Sequence, residues 1–175
     1  MINILHEIIR DNRLSEDKVV LVGGLAISLY IDLAVSKDVD FALMLEDYDK
    51  IQRVDEWGIK TVRYEWGYVD FINPDYFVSK QHKGNEFITY VKRHRSFKKD
   101  GIYVANPEVV FYTRLVVPTW ESHISKSIRD LDAGLIRKKD EIFFRVKAIA
   151  DVFDTRDVID HRIGVLDQYI TSYFK

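Results

Sequence analysis

The run KVVLVGG, residues 18–24, limits the fold more than any other stretch of this chain. Its β-branched and aliphatic residues show no polar alternation and stop at two glycines, the pattern of a short strand buried on both faces. LAISLYIDL follows with a helical period that roughly aligns Leu25, Leu29 and Leu33. SKDVDFALML then reads as a second strand. In it Val39, Phe41, Leu43 and Leu45 line one face, while Ala42 and Met44 continue the other beyond Asp38 and Asp40. A strand, a glycine turn, a helix and another strand predict an α/β or α+β unit.

Two aspartates at the mouth of an apolar strand call for a chemical reason. At positions i and i+2 their Cβ atoms stand about 6.5–7 Å apart and point the same way. Alone, the two charges repel, and one aspartate tends to hold its proton. A magnesium ion removes that conflict, since it takes oxygen ligands at about 2.0–2.1 Å and shares its shell with substrate phosphates. Asp70, in the later apolar run YVDFI, is a third carboxylate that a neighbouring strand can bring to the same spot. Three such groups suffice for two ions about 3.5–4 Å apart, the clamp used for in-line displacement at phosphorus. Gly23-Gly24, between strand and helix, lets a phosphate approach the backbone and the helix N–H groups. For Asp38 and Asp40 the bland alternative is a solvated pair; for Asp70 it is a strand reaching water.

The ordered set VVLVGGLAISLYIDLAVSKDVDFAL and YVDFI resembles the active-site core of the DNA polymerase beta-type nucleotidyltransferase superfamily. Its GGLAISLY and SKDVDF forms are most similar to the small prokaryotic members that include AbiEii-type toxins. The resemblance covers residues 19–72. It places Gly23 and Gly24 on the glycine motif, Asp38 and Asp40 on the paired carboxylates and Asp70 on the third. It implies two Mg²⁺ ions, or Mn²⁺ in their place, and an NTP as donor. The acceptor it implies is an RNA, a protein or a small molecule, and an antitoxin partner accompanies the toxin branch. NPEVVFYTRLVVPTW and KSIRDLDAG resemble the family's C-terminal helical elements, with Glu108 on the acid and Arg114 where a lysine is usual. Arg129, Asp130 and Asp132 fall near the second element with shifted spacing. Arg114, Lys126 and Lys37 are the cations expected to steady phosphates; Lys37 equally balances the acidic strand mouth, and Ser36 suits a turn.

The remaining chain reads coarsely. An amphipathic helix opens it, with Ile4, Leu5, Ile8 and Ile9 on one face. EDYDKIQRVDEWG reads as a helix, and IKTVRY with YVDFI as two strands around EWG. GNEFITYVKRHRSF is helix-like, GIYVA is a short strand, and Asn106-Pro107-Glu108 starts a helix. Beyond it helix continues, with breaks near Pro118 and Gly134. The fold expected is a small mixed β-sheet core over residues 1–82, flanked by helices, and a mostly helical region over 83–175 that forms the other side of a cleft. The basic run KRHRSFKK, residues 92–99, is either a solvated helix end or a surface for phosphates or RNA. Trp66 is the aromatic best placed to stack a base; His82 and His94 join no metal set.

Composition excludes several other classes. The 175 residues are 47% hydrophobic and 31% charged with no cysteine, which rules out disulfides, zinc–thiolate sites and a cysteine nucleophile. A net charge of -2 gives no whole-molecule sign of a nucleic-acid or membrane binder. The N-terminus is not a signal peptide, and no run reaches the roughly 18 apolar residues of a membrane span. A cytoplasmic nucleotidyltransferase is the first expectation. A catalytically weak or inactive binding module on the same fold is the second, and a phosphohydrolase using the same acids the third.

Overall fold

The computed structural model describes residues 1–31, 36, 38–78 and 83–175. Among them six strands form one mixed sheet in the order β3-β4-β2-β1-β6-β5. Helix α1 (Ile2–Asp11) buries Leu5, Ile8 and Ile9, while Ile4 lies at the edge of that stripe, 37% exposed. Strand β1 (Val19–Val22) is buried at every residue, because it sits between antiparallel β2 (Val39–Leu43) and parallel β6 (Ile102–Ala105). Helix α2 (Gly23–Ile31) starts directly at the glycine pair. Strands β3 (Ile59–Tyr64) and β4 (Gly67–Ile72) form an antiparallel hairpin, and β4 lies parallel to β2 with Asp40 opposite Asp70. Phe41 and Phe71 stack across that pair with centroids 6.3 Å apart.

The architecture is α+β, with the mostly helical C-terminal region expected from the sequence. The sheet nevertheless continues past residue 82. Helix α4 (Gly84–His94) is followed by β5 (Ser96–Lys99), which pairs with β6 and so extends the sheet beyond β1. Helix α5 (Pro107–Val116) is buried from Pro107 through Leu115 and packs against α2, α7 (Lys139–Val152) and α8 (Arg156–Tyr173). Asn106 occupies its N-cap position, but the side chain donates to Glu108 Oε1 at 3.5 Å and caps no backbone N–H. The expected breaks are present: Pro118 precedes the turn Trp120–His123 and α6 (Ile124–Asp130), and Gly134 leaves helical geometry. No helix among the described residues is long and apolar enough to cross a membrane.

Three local expectations are corrected. The segment 46–58 is not one helix: α3 (Leu45–Tyr48) has a single turn and a loop follows. Asp55 organises that loop, accepting from Tyr48 Oη at 2.7 Å and from Gly58 N at 2.8 Å, and Trp57 and Gly58 take positive φ. The helix through residue 97 ends at His94, because Asp100-Gly101, both at positive φ, close a two-residue hairpin that draws Ser96–Lys99 into the sheet. A third break, at Asp154 with φ 55°, separates α7 from α8.

Candidate active site

The register lays four side chains in a row across one face of the sheet: Val22, Asp40, Asp70 and Thr61. Neighbouring strands are about 4.8 Å apart. Asp70 is therefore a closer structural neighbour of Asp40 than Asp38 is along its own strand. Asp38 lies in the bend just before β2, exposed, its N–H donating to Ser36 Oγ at 3.3 Å. The sequence pairs Asp38 with Asp40; the electrostatics pair Asp40 with Asp70.

Asp40 is held in place by an absence. Gly23 sits at φ +69°, and a Cβ there would collide with Oδ2 of Asp40. The first glycine thus makes room for the carboxylate itself. The sequence assigned both glycines to phosphate approach. At Gly24, by contrast, a Cβ would make only ordinary contacts, with Ser36 Cβ at 3.5 Å and Arg129 Nη2 at 3.8 Å, and both glycines border the cleft. Asp40 keeps some contact with solvent through the cleft, yet protein surrounds its carboxylate. Burial first, and then the charge of Asp70, raise its pKa to about 7, against the opposing pull of Lys126 and Arg114.

Around this row lies a cleft of about 300 Å³. Gly23, Gly24, Asp38, Asp40, Asp70, Arg114 and Lys126 all border it. Lys37 lies outside the described residues. The far wall comes from α5 and α6 with the turn between them, and carries Thr113, Arg114, His123, Lys126 and Arg129. Ile59, Ile72, Tyr76 and Phe77 give an apolar side.

Arg114 is buried, with Nη1 2.8 Å from Asp130 Oδ2. The contact is an ion pair off the axis of a straight hydrogen bond, so both atoms lack a well-directed partner. Arg129 also reaches Asp130, at 3.2 Å to Oδ1, leaving its guanidinium largely exposed to the cleft. Burial lowers the Arg114 pKa, with Asp130 opposing. His123, which the sequence did not single out, is pushed down to about 4 by burial and by Lys126 and Arg114. It is a neutral imidazole at physiological pH.

Other candidates stand elsewhere. Glu108 is buried, 3.6 Å from Arg95 and 3.9 Å from Arg145, and does not border the cleft. Asp132 accepts from Tyr173 Oη at 3.2 Å. Trp66 stacks on Tyr64, with centroids 5.2 Å apart, away from the cleft lining. Thr61 was missed by sequence reasoning, yet it donates to Asp70 Oδ1 at 2.6 Å. The signal was present: a turn at Glu65–Trp66 pairs Tyr64 with Gly67, and three steps on it pairs Thr61 with Asp70.

Among the described residues no three His, Asp or Glu side chains come together closely enough to hold a metal ion between them. Magnesium does not require that, since it commonly takes one or two carboxylates and fills its shell with waters and phosphate oxygens. Asp40 and Asp70, crowded enough to raise one pKa, with Asp38 at the rim, fit such an ion as a site shared with a phosphate. The chain matches no protein-family model, no curated protein and no solved structure.

Proposed function

We propose that this chain is a magnesium-dependent nucleotidyltransferase that moves an NMP group from an NTP to an acceptor hydroxyl. The supporting observation is the facing of Asp40 and Asp70 across parallel strands on the floor of a cleft whose opposite wall is cationic. A phosphate chain needs one negative anchor for its cation and positive groups for its own charge, and this cleft offers both. Asp38 and Asp40 would hold Mg²⁺, which would supply neutralisation of the charge that builds at phosphorus.

The chain's own residues have distinct tasks. Gly24, which borders the cleft at the start of α2, lets a phosphate approach the helix N–H groups. Lys126 and Arg129, both exposed in the cleft, bind the β- and γ-phosphates. Arg114, already paired with Asp130, acts at longer range as fixed positive charge. Thr61 occupies Oδ1 of Asp70, which leaves Oδ2 to receive the proton of the acceptor hydroxyl. The hydroxyl oxygen then forms a bond to the α-phosphorus, the bond from the α-phosphorus to the bridging oxygen of the β-phosphate breaks, and pyrophosphate leaves. Positioning and charge neutralisation supply most of the acceleration.

A second reading, a nucleotide-binding module without transfer, draws on the engagement of Arg114 by Asp130. Calorimetry with each NTP, with and without Mg²⁺, and transfer of label from α-labelled NTP distinguish them. The transferase shows metal-dependent binding and a labelled acceptor, both lost in Asp40→Asn and Asp70→Asn. Binding with no labelled product across RNA, protein and small-molecule acceptors leaves the module. Nucleotide binding indifferent to both substitutions sinks the two readings together.

A further inference from the structure

The basic run 92–99 does not border the cleft, and the fold gives it a different setting from the helix end expected. It wraps the free edge of the sheet. Lys92, at the end of α4, and Lys98, on β5, both place Nζ over the ring of Tyr103, 5.1 and 4.7 Å from its centroid. On the other side of the same edge, Phe97 packs against Tyr30 with centroids 6.3 Å apart, and Lys138 Nζ lies 5.6 Å from the Tyr30 ring. Cations from three separated segments thus meet on aromatic rings around one strand.

Their lack of acidic partners sets them apart. Among the described residues Lys92, Arg93, Lys98, Lys99, Arg137 and Lys138 make no ion pair, whereas their sequence neighbours do. Arg95 turns inward to Glu108 at 3.6 Å, and Lys139 reaches Asp167 at 2.5 Å. The run itself holds no acid; Asp100 follows it in the hairpin turn, and the Glu16 carboxylate lies beside that turn at Gly101. Lysines on a sheet edge ordinarily guard against strand pairing, which accounts for Lys98 and Lys99. It does not account for Lys92 and Lys138, which arrive from other elements. In a chain of net charge -2 such a segregated patch is a local feature, not a consequence of composition.

We propose that the β5 edge is a binding surface for single-stranded nucleic acid. Cations without acidic partners answer the charge of phosphates, and Tyr30 and Tyr103 offer ring faces for bases. An exposed lysine on a ring is held more weakly than a stacked base. A base therefore displaces the lysine, which turns to the adjacent phosphate. This surface is independent of the transferase reading; where both hold, it selects a nucleic acid from the candidate acceptors.

Fluorescence anisotropy of a labelled oligouridylate with the full chain tests it. Affinity falls linearly with salt on logarithmic axes. Lys98→Ala/Lys99→Ala/Lys138→Ala, all at exposed sites, lowers affinity at least about tenfold at low salt and reduces that slope by about two. Tyr30→Ala weakens binding without changing the slope. Lys147→Ala, a cation already paired with Asp160, changes neither. No binding at low salt, an unchanged slope in the triple variant, or equal competition by polyglutamate or anionic vesicles overturns the proposal. Asp40→Asn separates the two sites: it retains oligouridylate binding while losing metal-dependent nucleotide binding. Failure of the first leaves the cleft untouched, and failure of the second leaves the edge untouched.

Discussion

Asp40 costs the empty protein stability, and the pH dependence shows it. Its pKa is raised from 3.8 to about 7. Between those values the unfolded chain has released the proton that the folded chain still holds, so stability falls as pH rises and levels off above about 7. Asp40→Asn removes that slope. The variant is expected to be more stable than the parent by on the order of 1–2 kcal/mol above pH 7, the cleft's solvent screening reducing the full shift. Thermal melts across pH 4–8 without metal read this out, with the difference between the two proteins vanishing toward pH 4. His123 runs the other way: its depressed pKa costs stability as pH falls from 6.5 toward about 4, equally in both proteins. The glycine pair divides as sharply. Gly23→Ala must displace Asp40 and strain a left-handed backbone, for a loss of about 1–3 kcal/mol. Gly24→Ala, where a Cβ makes only ordinary contacts and the backbone is helical, leaves the melting temperature unchanged within error. Equal melting temperatures for the two variants count against the Gly23–Asp40 notch.

Two elements meet through one acid. Asp130, on α6, holds both Arg114 of α5 and Arg129 of its own helix. Arg114→Met keeps the volume and leaves Asp130 buried with a single, mostly exposed partner. Breaking a buried pair from one side costs about 3 kcal/mol, a drop of roughly 6–12 °C in melting temperature for a chain this size. Asp130→Asn made on top of Arg114→Met should recover part of that loss, because the uncompensated charge is gone. No recovery would mean that Arg114 contributes by packing against Phe111, whose ring lies 5.9 Å from its guanidinium. On the sheet, Thr61 and Asp70 are a pair set by the β3–β4 hairpin. Thr61→Val should slow turnover with little change in the KM for NTP, and Thr61→Ser should restore it. A raised KM with unchanged turnover assigns Thr61 to nucleotide binding instead.

At the scale of the whole molecule the sheet binds the two halves of the chain together. β1 lies between β2 from the first half and β6 from the second, and all four of its residues are buried. A fragment of residues 1–82 would expose that strand along one edge and lose α5, which closes the cleft. It is expected not to fold, showing neither amide dispersion nor a cooperative melt; a cooperative transition would establish the first half as autonomous. The local units were legible without coordinates. The strand, glycine turn and helix at residues 19–31 and the apolar run of β2 depend on side-chain size, branching and backbone freedom, all of which are carried by neighbouring residues. The acidic pair Asp38 and Asp40 stood out as residues too. The Asp100-Gly101 turn is equally local but went unread, because the basic run before it reads as a helix end until the hairpin is seen. What tertiary structure alone decided was adjacency: that Asp40 faces Asp70, that Gly23 is emptied for a carboxylate, and that lysines from three segments gather on one edge. Periodicity assigns a residue to a face of its own element. Which other residue shares that place depends on strand order and register, and those are fixed by the packing of the whole core.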